Sequence, residues 1–383
     1  MRLILAALGL WSVLLAGCNT PNSAAPSTNC AEGATSNCVA GATSVRTPVG
    51  VDHLFDIGAD TTSPLFGASS IDVTDSVLYV LDRSGYRILA YDRQGQLRQQ
   101  TGRRGRGPGE LQSPIALVRT EKGVLVSEQH SPRAHRFDER LTYQDEALLK
   151  MVPVDLAGLS SGHLLVSGLS TAHPDRGTLQ MFSPQREWES TPIPEPPMPS
   201  EIESSDIPLP ARGLWKVSRV DSHGSRFCAT FLHVNRVACA TRETLTWTHR
   251  FPDLPETAEV RSIADAQVPD APLTQDIAVA ADGTVFVLSG GYGPDPEHSV
   301  YVLADGKHVR TLRLAYAAER IAWQPPNRLY ALREDGTRIT AYRILAGENP
   351  TAATKTHESS KRSADEAFSA HVGQSNLPYP FTE

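Results

Sequence analysis

From residue 70 to 345 apolar positions come in short alternating runs broken by turn residues, and one unit recurs: apolar strand, turn, second apolar strand. It is found at Ile71–Val80, Ile115–Val126, Leu156–Val166, Ile277–Val287 and Ile321–Ala331, with Asp75-Ser76, Lys122-Gly123, Ser161-Gly162, Asp282-Gly283 and Pro326-Asn327 at equivalent turns. Val80, Val126 and Val166 close second strands 46 and 40 residues apart, and Val287 and Ala331 lie 44 apart. The 121 residues from Val166 to Val287 leave room for one more unit, which Val217–Thr230 supplies around a His223-Gly224 turn. The second half of the unit repeats as well. Asp82–Asp92 has its counterpart in Glu128–Asp138, 46 residues on, and Arg338–Tyr342 matches Arg87–Tyr91. Four short strands every 40-odd residues, six times over, predict an all-β fold: a six-bladed β-propeller with four-stranded antiparallel blades. Helical periodicity is nearly absent, which excludes helical solenoids. The strand aromatics Tyr79, Tyr91, Phe137, Phe286, Tyr301, Tyr330 and Tyr342 are expected in the core.

The sixth unit supplies only three strands before the chain turns polar at Gly347. An open blade edge invites aggregation, so residues 51–58, a lone strand ahead of the first unit, are expected to complete the sixth blade and close the ring. The domain then spans 50–346. These units, with Gly102–Leu111 between the first two, resemble NHL-type repeats. The resemblance is carried by Gly-x-Gly-Pro-Gly-Glu followed by Pro114, and by the Arg-Ile-x-x-Tyr strand. It covers residues 70–150 most fully, 270–345 less so and 151–270 least.

The flanks are different in kind. Met1-Arg2 is a positive start, Leu3–Leu15 an apolar run too short to span a bilayer, and small residues precede Cys18: the order of an export signal. Leu15-Ala16-Gly17-Cys18 resembles the lipobox of bacterial lipoproteins. The resemblance implies removal of residues 1–17 and lipidation, including palmitate, of Cys18. Residues 18–49 are rich in Ser, Thr, Ala, Asn and Gly and read as a disordered tether. Residues 347–383 read as a disordered tail. The implied location is the cell envelope, with the membrane reached through the lipid alone. Asn19 after Cys18 lacks the Asp that resembles an inner-membrane retention signal, so for a Gram-negative source the resemblance implies the outer membrane, facing the periplasm or the surface.

A net charge of −7 argues against nucleic acid as a partner. Export implies an oxidising compartment. Cys228 and Cys239 flank a centre near His233-Val234, as opposing hairpin residues do, which favours a disulfide over two buried thiols. Cys30 and Cys38 are expected to close a small loop in the tether. Neither pair has zinc-site spacing. Nothing in the chain implies a cofactor, and the domain reads as monomeric.

In a propeller, the links between blades and the turns between second and third strands share one face. The insertions Thr191–Arg212 and Pro252–Pro272 and the Gly102–Leu111 loop fall there, as do the turns Leu169–Gly177, with His173, Asp175 and Arg176, and Ser289–His298, with Tyr292, Asp295 and His298. This face is the expected binding face for an envelope protein or glycan. Arg103, Arg104 and Arg106 among glycines suit either a nest for phosphate or carboxylate or a tight link with solvated arginines. The main reading is a non-catalytic binding or scaffold module. The alternative is a calcium-assisted hydrolase or lyase with its site in the central channel, by resemblance to six-bladed calcium lactonases. Of the inner-strand starts Ser69, Ile115, Pro153, Trp215, Asp276 and Glu319, only Asp276 and Glu319 are carboxylates, few for a calcium ion. No catalytic residue is identified: the chain has no His-x-x-x-His pair and no Gly-x-Ser-x-Gly elbow.

Overall fold

A computed structural model describes residues 48–346 except 59–62, 171–176, 186, 190, 199–212, 264–265 and 294. The export signal, Cys18, the tether with Cys30 and Cys38, the turn residues His173, Asp175 and Arg176, and the tail from 347 lie outside the described residues.

Six antiparallel four-stranded sheets form a ring. Blade 1 is β2 (Ala68–Val73), β3 (Val77–Asp82), β4 (Arg87–Asp92) and β5 (Leu97–Thr101). Blade 2 is β6 (Pro114–Thr120), β7 (Gly123–Glu128), β8 (Arg133–Phe137) and β9 (Tyr143–Leu148). Blade 3 is β10 (Val152–Gly158), β11 (Leu164–Leu169), β12 (Leu179–Phe182) and the short β13 (Trp188–Glu189). Blade 4 is β14 (Ser218–His223), β15 (Arg226–Phe231), β16 (Val237–Ala240) and β17 (Leu245–His249). A separate hairpin, β18 (Val260–Ile263) with β19 (Ala266–Pro269), occupies the link to blade 5. Blade 5 is β20 (Thr274–Val279), β21 (Val285–Ser289), β22 (Ser299–Ala304) and β23 (Lys307–Arg313). Blade 6 is β24 (Arg320–Gln324), β25 (Arg328–Arg333), β26 (Arg338–Ile344) and, at its outer edge, β1 (Val51–Ile57).

The sixth blade is therefore closed as the strand count requires. β1 pairs antiparallel with β26 from Val51↔Ile344 to Ile57↔Ile339, with a bulge between His53 and Phe55. Thr340 donates from its hydroxyl to Asp56 at 2.6 Å, and Arg343 pairs with Asp52 at 2.9 Å. Just ahead of β1, Val49 exchanges two 3.0 Å backbone bonds with Arg313 of blade 5. At the closing seam Gly336 (φ +76°) lies so close to Ala68 that a Cβ would meet its nitrogen at 2.4 Å, and the Gly336 carbonyl accepts the Ala68 N–H at 2.8 Å. Only glycine combines that backbone with that approach.

The core is divided between the blades. Alternation along each strand gives every sheet two apolar faces, and each face packs on the next blade. Leu81 and Ile88 of blade 1 meet Leu117 and Phe137 of blade 2, and the pattern continues to the seam, where Leu332 and Ile339 meet Leu78 and Leu89. The strand aromatics are buried as expected, Tyr91, Phe137, Tyr330 and Tyr342 completely; Tyr301 alone is partly exposed.

Cys228 and Cys239 face each other across β15 and β16 and are disulfide-bonded inside blade 4, fully buried. Removing the cross-link releases loop entropy to the unfolded chain. We expect the Cys228→Ala/Cys239→Ala pair to cost about 2–4 kcal/mol, read as a lower urea midpoint that reductant no longer changes.

Candidate functional site

Each inner strand leaves one edge unpaired where it lines the central channel, and those backbone groups need partners. Side chains of the neighbouring blade supply them. Asp155 of blade 3 accepts the Val220 N–H of blade 4 at 3.1 Å, and Asp276 of blade 5 accepts the Ile321 N–H of blade 6 at 2.7 Å. One step further down, Asp72 accepts the Arg119 N–H and Asp221 the Val279 N–H, both at 2.6 Å. Donors return the favour to carbonyls: Ser69 to Ile115 at 2.9 Å, Ser222 to Gly158 at 2.7 Å, Arg320 Nε to Ser69 at 3.2 Å.

The result is two layers of charge. In the upper layer Arg320 reaches Asp276 at 3.2 Å and, across the ring, Asp155 at 3.7 Å. All three are buried. Arg219 also lies here and donates to the Val154 carbonyl at 3.4 Å. Burial, with Arg320 beside it, lowers its guanidinium pKa to about 10. Burial also pushes the Asp276 carboxyl upward; Arg320 opposes that shift and Asp155 adds to it. The lower layer holds Asp72 and Asp221, from opposite blades, with Arg119 facing Asp72 and opposing its upward shift. Burial raises both carboxyls, and the Asp72 charge pushes Asp221 further, well above its ordinary range. Both line a cavity of about 60 Å³, together with Asp155, Asp276 and Arg320 of the upper layer. That volume suits a few water molecules and falls well short of a typical small-molecule pocket of roughly 300 Å³ or more.

The structure places Asp276 in the channel lining and does not bring Glu319 to it. Glu319 precedes β24 and accepts the Asp335 N–H at 2.7 Å, holding the turn between β25 and β26. Burial there raises its carboxyl to about 7. The two acids do not converge because Asp276 follows a bulge in β20 that turns it towards blade 6, whereas Glu319 lies above the first pair of β24. The strand starts do not single out Asp72, Asp155, Asp221, Arg219 or Arg320. The available signal is a lone charged residue inside an otherwise apolar inner strand, as in Ile71-Asp72-Val73 and Val154-Asp155-Leu156.

On the link face, the Gly102–Leu111 loop already contains its anion. The Glu110 carboxylate accepts the Gly107 N–H at 2.8 Å and pairs with Arg103 at 2.7 Å. These contacts hold the carboxyl below its ordinary range, and a Cβ on Gly105 would strike Glu110. Arg103 is therefore committed to the loop, while Arg104 and Arg106 stay exposed. In the blade 5 turn, two expected binding residues prove to be internal. Asp295 is 5% exposed and pairs with Arg313 at 2.7 Å; His298 is 6% exposed, its Nδ1 3.3 Å from the Leu314 carbonyl. The turn folds back on its own blade, burying both. Tyr292 accepts the Glu259 N–H at 2.8 Å and ties the turn to the hairpin insertion. The first part of the other insertion is pinned too, through buried Ile193 and a 3.0 Å Lys216–Glu195 pair.

Ring and closure strand define this protein as a six-bladed β-propeller. No protein-family model matches the chain, and no curated protein matches it in sequence. Solved structures share the fold. A protein from Bacteroides fragilis described as exported superposes at a TM-score of 0.54 and 11% identity, covering 78% of this chain and 95% of its own. A member of the DUF4221 family from Bacteroides vulgatus does so at 0.52 and 11%, covering 79% and 98%. At these identities the likeness concerns the fold alone.

Proposed function

We propose that this chain is a lipid-anchored propeller of the cell envelope that binds a protein or glycan partner on its link face and catalyses no reaction. The observation that carries this reading is the state of the channel. Its four aspartates each accept a backbone N–H from the next blade, and two of them also hold Arg320. These groups secure the ring, so the surface open to a partner lies outside it. Among the described residues no helix is long and apolar enough to cross a membrane; the lipobox-like Leu15–Cys18 supports anchoring through lipid.

The channel residues do not suit the calcium alternative. A calcium ion takes roughly six to eight oxygen ligands. The cavity is small, its aspartates are already engaged, and among the described residues no three His, Cys, Asp or Glu side chains converge as a ligand set.

The test is cross-linking capture in intact envelopes, with the full chain compared with a chain lacking residues 199–212. The expected result is a defined partner band that weakens in the deletion. Identical capture patterns from the two chains would remove the insertion from the binding face, and turnover of a lactone or polysaccharide by the purified protein would overturn the non-catalytic reading.

A further inference from the structure

The top of blade 1 carries an exposed aromatic side chain that is held rigidly. Phe66 is 58% exposed, although its neighbour Leu65 is buried. Its N–H donates to Asp82 at 3.2 Å, and its ring lies over the Arg87 guanidinium at 4.9 Å. Arg87 is itself fixed by Asp82 at 2.9 Å and by the Pro64 carbonyl at 2.5 Å. The ring thus has one face on a locked cation and the other in water. Beside it a second pair repeats the arrangement: Arg104 lies over Tyr86 at 5.4 Å, and Tyr86 immediately precedes Arg87 in the chain. Arg104 and Arg106 are both exposed, and among the described residues neither forms an ion pair with a carboxylate.

An aromatic side chain ordered before binding loses little entropy on association, and aromatic and arginine side chains dominate interface energetics. Two exposed guanidinium forks match carboxylates in pairs. They make a cationic patch on a protein whose net charge is −7, so the local charge selects against copies of the same chain and in favour of an acidic ligand. A polysaccharide supplies carboxylates but lacks an apolar side chain to cover Phe66; a peptide supplies both.

We propose that Phe66, Tyr86, Arg104 and Arg106 form a docking surface for an acidic peptide segment of a partner protein, one carrying at least one large apolar side chain among its carboxylates. The proposal rests on the reading of the link face as the binding face and names the chemistry of its partner.

A random peptide library displayed on phage and selected on the full chain tests it. The expected consensus places Asp or Glu around Leu or Phe. A selected peptide should bind about tenfold more weakly to the Arg104→Ala/Arg106→Ala variant and to Phe66→Ala, and should weaken with added salt. Lys122→Ala, on the opposite face, should bind as the parent does. All variants should unfold at the parent temperature, because the substituted side chains are exposed. A neutral or basic consensus, or affinity unchanged in the double variant, overturns the proposal. Binding of polygalacturonate through the same residues, with no peptide selected, reassigns the patch to a glycan and also overturns it. If peptides fail while envelope capture still depends on residues 199–212, the docking surface falls and the binding function stands. Loss of both refutes the underlying reading.

Discussion

Replacing Asp276 by alanine should destabilise the ring by about 3–5 kcal/mol, the usual cost of leaving a buried charge without its partner. Two losses combine at this position. Arg320 loses its 3.2 Å carboxylate and keeps Asp155 at 3.7 Å, with both side chains buried. The Ile321 N–H loses its acceptor at an edge where no neighbouring strand replaces it. Asparagine at the same position should recover part of the loss, because its amide oxygen still accepts the Ile321 N–H. Equilibrium unfolding in urea measures both variants. A cost below about 1 kcal/mol for alanine would mean that the channel network contributes no more than an exposed pair.

The opposite sign is expected one layer lower. Asp221→Asn should stabilise the protein at about pH 8, by on the order of 1–3 kcal/mol. Asparagine keeps an oxygen to accept the Val279 N–H and removes a charge that burial and the nearby Asp72 carboxylate both disfavour. In the folded ring burial lifts the Asp221 carboxyl well above the 3.8 of the unfolded chain, so the folded state binds protons more tightly. The corresponding stability is fully present below the unfolded value and is lost as pH rises through the folded one. Asp72, also raised by burial, acts in the same direction. The advantage of Asp221→Asn should therefore shrink as pH falls and vanish near about pH 4. Thermal unfolding followed across that range checks it, and an advantage that grew towards acid would contradict the arrangement.

These two predictions concern residues that local sequence does not rank by role. Asp72, Asp155, Asp221 and Asp276 each occur inside an inner strand, and their charge is visible at once. What they bond to is not, because each accepts from a blade some 45 to 65 residues further along the chain. A bulge between Thr274 and Asp276 sets which side chain turns towards the next blade, and blade 4 has no such bulge between its first two strands. The same nonlocality separates Glu319 from Asp276 and buries Asp295 and His298, which a turn assignment alone places at the surface. The loop around Arg103 was legible as a tight link among glycines; that Glu110 fills it depends on how the loop closes.

By itself the sequence determined what is periodic. Strand alternation, turn residues and a spacing of 40-odd residues fix four strands per blade and six blades. The shortfall in the last unit calls for β1, and the symmetry of Cys228 and Cys239 about a turn marks their disulfide. Those features follow from hydrogen bonding and burial between chain neighbours, which local residue order controls. Tertiary structure alone decided which aspartates meet which arginines, that Arg320 reaches across the channel to Asp155, and that Phe66 stands exposed on a locked guanidinium. Such contacts join segments brought together only when the ring closes, and their energies depend on burial and distance that no single strand specifies.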